Sequence, residues 1–262
     1  MQETFAILPR AGRGSIAYHR LNGPQNAAKT AAQPGLIFLG GFMSDMTGIK
    51  AAWLEEFAAG AGLAYLRFDY TGHGHSEGAF TEGTIGSWLQ DVLDVLDTLT
   101  KGPQILIGSS MGGWLALLAA LQRPDRVAGL IGVAAAPDFT EELVLNGLSE
   151  TEREALQRDG QVAVPNDYDE EPYIITRALI EEARTHLLLG APIALTCPVH
   201  LLHGIKDPDV PWQTALRITE KLESDDVAVT LIKDGDHRLA RPQDLSRIRA
   251  AVMDMITTMP KI

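Results

Sequence analysis

Gly108-Ser109-Ser110-Met111-Gly112 follows the apolar run Gln104-Ile105-Leu106-Ile107 and precedes a helix-forming stretch over residues 114–121. A serine set between glycines in a strand–turn–helix context fits the G-x-S-x-G pattern of a nucleophile held in a strained turn. The glycines have a physical task there, because only residues without side chains let strand and helix pass so close to the turn. Ser110 would stand at the N-terminal end of a helix, leaving the backbone N–H of Met111 free to face a developing oxyanion. A pattern this short also fits a glycine-rich turn with no chemistry. A serine hydroxyl is a poor nucleophile until a base removes its proton, so function requires a histidine and a carboxylate to orient it.

Seven histidines are available, and position separates them. His237 lies in the polar turn Asp234-Gly235-Asp236-His237, just beyond the apolar run 227–232. Open α/β sheets place their active sites at such carboxyl ends of strands. His200 falls inside a strand pattern, and His203 ends that strand beside Gly204, where it is expected to pack against the turn. His73 and His75 sit in a glycine-rich loop with a pocket-lining role open to them, and His19 and His186 read as surface or cap residues. Asp207 and Asp209 both follow the run 199–202. Asp207 is nearer the strand end and is the expected partner of His237, whereas Asp209 suits a turn or a helix start. A second oxyanion donor is expected from the N–H of Phe42, in the loop Leu39-Gly40-Gly41-Phe42-Met43-Ser44-Asp45. That loop also reads as a plain strand-to-helix turn with Asp45 or Thr47 as N-cap.

Other chemistries lack their residues. Gly72-His73-Gly74 is no dinucleotide fingerprint, and neither a Walker A sequence nor H-E-x-x-H occurs. Cys197 is the single cysteine, which excludes an intramolecular disulfide and a thiolate metal cage. The acidic groups Glu141-Glu142, Asp169-Glu170-Glu171 and Glu181-Glu182 read as solvated faces. No cofactor and no metal are expected. With 22 basic and 34 acidic residues the net charge is −12, without a basic block, which disfavours a nucleic-acid partner. No apolar stretch approaches the ~20 residues of a membrane span. Met1-Gln2-Glu3-Thr4 carries no signal-like pattern, and with one thiol the expected location is cytoplasmic.

The elements that must position these residues are legible as a β-α alternation. At 262 residues, 45% hydrophobic and 21% charged, the chain can bury a sizeable core. Short apolar runs at 36–39, 64–68, 105–107, 127–133, 199–202 and 227–232 predict a mostly parallel sheet. Helical periodicity falls at 49–61, 85–100, 112–122, 212–222 and 243–259. Residues 3–8 and 15–20 predict an antiparallel edge hairpin, and 22–34 a surface loop. Between 138 and 197 no strand-like run is read; two acidic amphipathic patterns, 141–157 and 172–189, joined by the link 164–172, predict a helical cap insertion. The expected organisation is therefore a core of residues 1–137 and 198–262, carrying a cap of residues 138–197, with two crossover helices as the simpler alternative for that stretch.

These residues are similar to those of the α/β-hydrolase family over nearly the whole chain, in the chain order Ser110, Asp207, His237. More narrowly, Arg67-Phe68-Asp69-Tyr70-Thr71-Gly72, Gly108-Ser109-Ser110-Met111-Gly112-Gly113-Trp114, Leu201-Leu202-His203-Gly204 and Asp236-His237-Arg238 resemble the family's mitochondrial palmitoyl-protein thioesterase and acyl-glucuronide esterase branch. The resemblance implies an α/β-hydrolase fold and a serine hydrolase acting on an acyl ester or thioester, either a small molecule or a protein-linked group. Two features depart from it: Gly40-Gly41 stands where the family commonly has His-Gly, and no presequence is visible. Under a cap, Tyr173, Ile174, Leu179 and Leu187 would line an apolar acyl slot, or equally form the cap's own core. A carbon–carbon bond hydrolase on the same fold and a non-catalytic binding protein are the alternative readings.

Overall fold

A computed structural model describes residues 5–23, 33–166 and 172–259. The segment 1–4, most of the loop 22–34 and the middle of the link 164–172, including the acidic run 169–171, lie outside the described residues. Among the described residues ten strands are seen: β1 (Ala6–Arg10), β2 (Arg13–Leu21), β3 (Gly35–Leu39), β4 (Tyr65–Phe68), β5 (Gln104–Ser109), β6 (Val127–Val133), β7 (Gln161–Val164), β8 (Tyr173–Thr176), β9 (Val199–Gly204) and β10 (Val227–Ile232). The α-helices are α1 (Ile49–Ala61), α2 (Ile85–Leu99), α3 (Met111–Gln122), α4 (Glu150–Asp159), α5 (Arg177–Ala183), α6 (Gln213–Lys221) and α7 (Pro242–Thr258).

Eight strands form one sheet in the order β1-β2-β4-β3-β5-β6-β9-β10. From β4 to β10 every pairing is parallel, and β1 and β2 add the antiparallel edge. The central strands are apolar on both faces because both are covered. Along β3 the side chains alternate: Leu36 and Phe38 pack with Leu54 of α1 and Ile248 of α7, whereas Ile37 and Leu39 pack with Trp88 of α2 and Trp114 of α3. Local chemistry sets the helix ends. Thr84 and Ser87 form a reciprocal cap at the start of α2, and α1 ends at Gly62 in the left-handed conformation, φ 68°. The expected cap at α1 differs, since Gly48 takes that position and Asp45 instead accepts hydrogen bonds from Thr47.

The stretch between β6 and β9 departs from the all-helical expectation. It holds a π-helical turn (Thr140–Leu145), α4, the antiparallel pair β7–β8 and α5. Gln161-Val162-Ala163-Val164 and Tyr173-Ile174-Ile175-Thr176 are rich in β-branched residues, and Val162 and Ile175 face each other across the pair, both buried. The stretch enters and leaves the sheet at one place. Asp138, at φ 61°, accepts hydrogen bonds from the N–H groups of Leu188 and Leu189, both at 2.8 Å. Arg217 of α6 grips Glu142 with two bonds of 2.6 and 2.7 Å.

His73, in the loop after β4, is buried among the rings of Tyr70, Phe80 and Trp88, with centroids 5.2–5.4 Å away, rather than facing a pocket. Its Nε2 has no hydrogen-bond partner among the described residues. Burial among rings disfavours the cation, partly offset by the Thr71 carbonyl and Asp45, and lowers its pKa from 6.5 to about 4. The folded state then refuses a proton that the unfolded chain accepts below about pH 6.5, so stability present above that pH is lost as pH falls towards 4. His73→Phe keeps a ring in place and removes this loss. Urea unfolding from pH 7 to 4 is expected to show the stability difference between His73→Phe and wild type shifting by about 3 kcal/mol in favour of the variant.

Candidate active site

β5 ends in the turn that carries Ser110, at φ 54° and ψ −119°, immediately before α3. Neighbouring strands hold this conformation. The Ser110 N–H donates to Val133 O (3.0 Å), while its carbonyl accepts from Gly113 N (2.9 Å) and Ala136 N (3.1 Å). A Cβ on Gly108 would collide with the Gly112 carbonyl, and one on Gly112 with the carbonyls of Leu39 and Gly40. The same close approach sets the loop after β3 beside the serine, where a Cβ on Gly41 would lie 3.4 Å from Ser110 Cβ.

His237 follows β10, and its Nε2 lies 3.1 Å from Ser110 Oγ. On the other side of the ring, Nδ1 lies 2.7 Å from Asp207 Oδ2. The carboxylate accepts, so the proton belongs on Nδ1, and Nε2 is left to accept from the serine hydroxyl. Asp207 sits in the turn after β9 with its side chain fully buried, and Oδ1 accepts from the N–H groups of Asp209 and Val210, both at 2.9 Å. Burial pushes its pKa up, but hydrogen bonds from His203, His237 and Val210 N–H outweigh that and hold it well below the ordinary carboxylate range.

His203 has a larger part than packing against a turn. Its Nε2 lies 3.0 Å from Val210 O and 3.2 Å from Asp207 Oδ2, two acceptors, so this nitrogen carries a proton shared between them. The sequence signal was its place at the end of β9, four residues before Asp207. Asp209 is exposed, with its backbone capping the Asp207 turn. Among the described residues, Asp207, Asp209 and His237 form the one group whose side-chain atoms converge as metal ligands would. Asp207 is already committed to four N–H donors there, which fits a histidine-orienting carboxylate better than a metal ligand.

The N–H groups of Met111 and Phe42 engage in no hydrogen bond among the described residues. Both residues line a cavity of about 860 Å³ that also reaches Ser110 and His237. Phe139, Leu143, Tyr173 and Ile175 give this cavity an apolar wall. Of the four residues expected there, Tyr173 lines the cavity and the other three do not. Alternation along β8 turns Ile175, not Ile174, to the cavity; Leu179 packs into the core and Leu187 is exposed. At the mouth, Lys50 donates to the carbonyl of Arg238, tying α1 to the turn that bears His237. Burial lowers the Lys50 pKa to about 8, against the pull of Asp236 and with a push from Arg238. Cys197 is half-buried against the core, away from the cavity lining, and burial raises its pKa.

A mostly parallel eight-stranded sheet, covered by helices on both faces, with a serine at a strained strand-to-helix turn, is the architecture of an α/β hydrolase. Residues 35–244 match the hydrolase family described as serine aminopeptidase, S33, and the chain belongs to that family and is a serine hydrolase. It is 44% identical to the mitochondrial palmitoyl-protein thioesterase ABHD10 of Mus musculus over 254 residues, covering 97% of this chain and 82% of that protein. The solved structure of mouse alpha/beta hydrolase domain-containing protein 10 superposes with a TM-score of 0.87 at 41% identity, over 97% of this chain and 99% of the mouse one. A putative hydrolase from Agrobacterium vitis S4 gives a TM-score of 0.89 at 43% identity, over 97% and 98% of the two chains. The cytoplasmic expectation is corrected by these relatives: the mouse, rat, bovine and human proteins are all named as mitochondrial, a location that a reading of the first residues and a single thiol did not anticipate.

The crowding at the turn has a measurable cost. Gly112→Ala is expected to lower the unfolding free energy by about 2 kcal/mol, the cost of overpacking against fixed backbone. Gly190→Ala, with nothing within 4 Å of the added carbon, is expected to change it by under about 0.5 kcal/mol. Urea denaturation of both variants reads the contrast.

Proposed function

We propose that this serine hydrolase cleaves carboxylic ester or thioester bonds of acyl substrates, small or protein-linked, through a Ser110–His237–Asp207 triad. The observation that carries the reading is the unbroken hydrogen-bond series from Asp207 through His237 to Ser110, opening onto an apolar cavity. His237 takes the Ser110 proton as Oγ attacks the acyl carbonyl. The N–H groups of Met111 and Phe42 hold the oxyanion, and Asp207 fixes the imidazole tautomer and stabilises the imidazolium. His237 then protonates the leaving alcohol or thiol. In the second half the same ring deprotonates a water, whose attack on the acyl-enzyme expels Ser110 Oγ; Oγ takes the proton back from His237 and the acid leaves. Besides the chain's own side chains and backbone, these steps need only the substrate and water.

Residues 138–197 serve in this reading as a cap over the core of 1–137 and 198–262, with Phe139, Leu143, Tyr173 and Ile175 receiving the acyl group. An apolar wall suits fatty-acyl or aryl chains, since burying each methylene is worth roughly 0.8 kcal/mol. The thioesterase named among the relatives at 40–44% identity supports a long acyl group, and palmitoyl-thioesterase or acyl-glucuronide-esterase activity is the finer form of the proposal.

The test is kcat/KM over matched oxygen-ester and thioester series of rising acyl length. Ser110→Ala is expected to lower kcat/KM by about 10⁴ to 10⁶, and Asp207→Asn by about 10⁴ with the fold intact. Equal activity in wild type and Ser110→Ala would refute the mechanism, and cleavage of a β-diketone but no ester would favour carbon–carbon hydrolysis.

A further inference from the structure

The side chain of Phe42 spans two bodies of packing. It lies edge-on to Phe80 (4.9 Å between centroids) and Trp88 (5.9 Å) on the sheet side. On the other side it meets Phe139 (5.7 Å) and Tyr173 of β8 (5.8 Å) in the same manner. Among the described residues, it shares with Val144 the place of a partly buried residue packed against both the main core and the apolar cluster formed by α4, β7, β8 and α5.

The backbone before it is held by hydrogen bonds to carbonyls, with Tyr70 OH donating to Gly40 O (3.1 Å). Gly40 and Gly41 precede it, and Met43, at φ 59°, follows. The Gly41 carbonyl accepts from Ser44 N (3.2 Å) and Ser44 Oγ (2.7 Å). That carbonyl and the Phe42 N–H belong to one planar trans peptide, so pinning the oxygen aims the N–H the opposite way. One edge of the plane is fixed by Ser44; the other ends at the Phe42 Cα, whose ring is wedged between the four aromatics. Rotating the plane about its Cα–Cα axis would break the Ser44 bonds, and shifting it towards or away from Ser110 moves the Phe42 Cα and with it the ring.

We propose that Tyr173 is a positioning residue for the oxyanion donor: through the ring of Phe42, the β7–β8 hairpin holds the Phe42 N–H in register with Ser110. The proposal rests on Ser110 being the nucleophile. Its consequence is that the hairpin governs turnover of substrates too short to touch it, so loss of the Tyr173 ring acts on kcat and not only on acyl binding.

The experiment uses p-nitrophenyl acetate, whose acyl group is a single methyl on the carbonyl, with wild type, Ser110→Ala, Tyr173→Ala, Tyr173→Leu and Tyr173→Phe. Tyr173→Ala and Tyr173→Leu are expected to lower kcat about tenfold with KM within about twofold, a fraction of the 10²–10³ lost when an oxyanion donor is removed outright. Tyr173→Phe keeps the ring and is expected to stay within about twofold of wild type. Thermal melting identifies any variant that fails to fold, and the leucine variant stands in if the alanine one does so. Unchanged acetate kcat in Tyr173→Ala or Tyr173→Leu, with KM raised only for long acyl esters, would reduce Tyr173 to a wall of the slot and overturn the proposal. So would a Tyr173→Phe variant as slow as the alanine one. Acetate turnover surviving Ser110→Ala would instead defeat the nucleophile assignment, and the proposal with it.

Discussion

Ser110 sits at φ 54°, a conformation that a residue with a side chain adopts only under compulsion, and much of the architecture supplies the compulsion. Val133 on the adjacent strand, Gly113 in the following helix and Ala136 in the next loop each bond its backbone. Gly108 and Gly112 remove the atoms that would otherwise push β5, α3 and the loop after β3 apart. Among the described residues, four other non-glycine residues have φ in the left-handed region: Met43, Ala134, Asp138 and Leu239. They follow β3, β6 and β10, so backbone strain is gathered at the same carboxyl edge of the sheet as Ser110, Asp207 and His237. A core sealed on both faces is stiff enough to keep them all there.

The charges around the site obey the same economy of position. Asp207 is fully buried, yet it remains anionic because four N–H groups converge on it, two from the backbone of its own turn and two from histidines. Two histidines around one carboxylate divide the work: His237 faces the serine, while His203 anchors the acid to Val210 from behind. The carboxylate is thereby oriented from both sides before any substrate arrives.

What the sequence disclosed follows from which interactions are local. Ser110 announces itself through glycines two positions away on either side, and Asp207 and His237 through turn chemistry just past apolar runs; strand ends are short-range events. The parallel strands were readable because burial on both faces leaves unbroken apolar runs such as 127–133. The β7–β8 pair was hidden by competing signals: 172–189 holds helical spacing in α5, and only the β-branched content of 173–176 points the other way. The bond of His203 to Asp207, four residues on, lay within reach of a local reading, whereas the four-ring surround of Phe42 depends on residues tens of positions apart meeting in space. No spacing rule within one segment encodes such meetings. The apolar wall of the cavity was half-legible for the same reason: Tyr173 was foreseen, but the face on which its neighbours fall depends on a register that only pairing with β7 sets.

The pinning of the 138–189 stretch by Asp138 has a consequence for how such a protein can change. Strands β6 and β9, which flank it, are already neighbours in the sheet, with Leu130 opposite Val199, so its two ends meet whatever lies between them. Lengthening a loop whose ends are held together costs only about 0.6 kcal/mol per doubling. The segment is thus an exchangeable cassette: insertions, deletions or wholesale replacement there re-tailor the chamber above Ser110 while the strands that hold its strained turn keep their pairing. Chamber shape can thus change without unpairing those strands, as long as a ring is kept where Tyr173 meets Phe42.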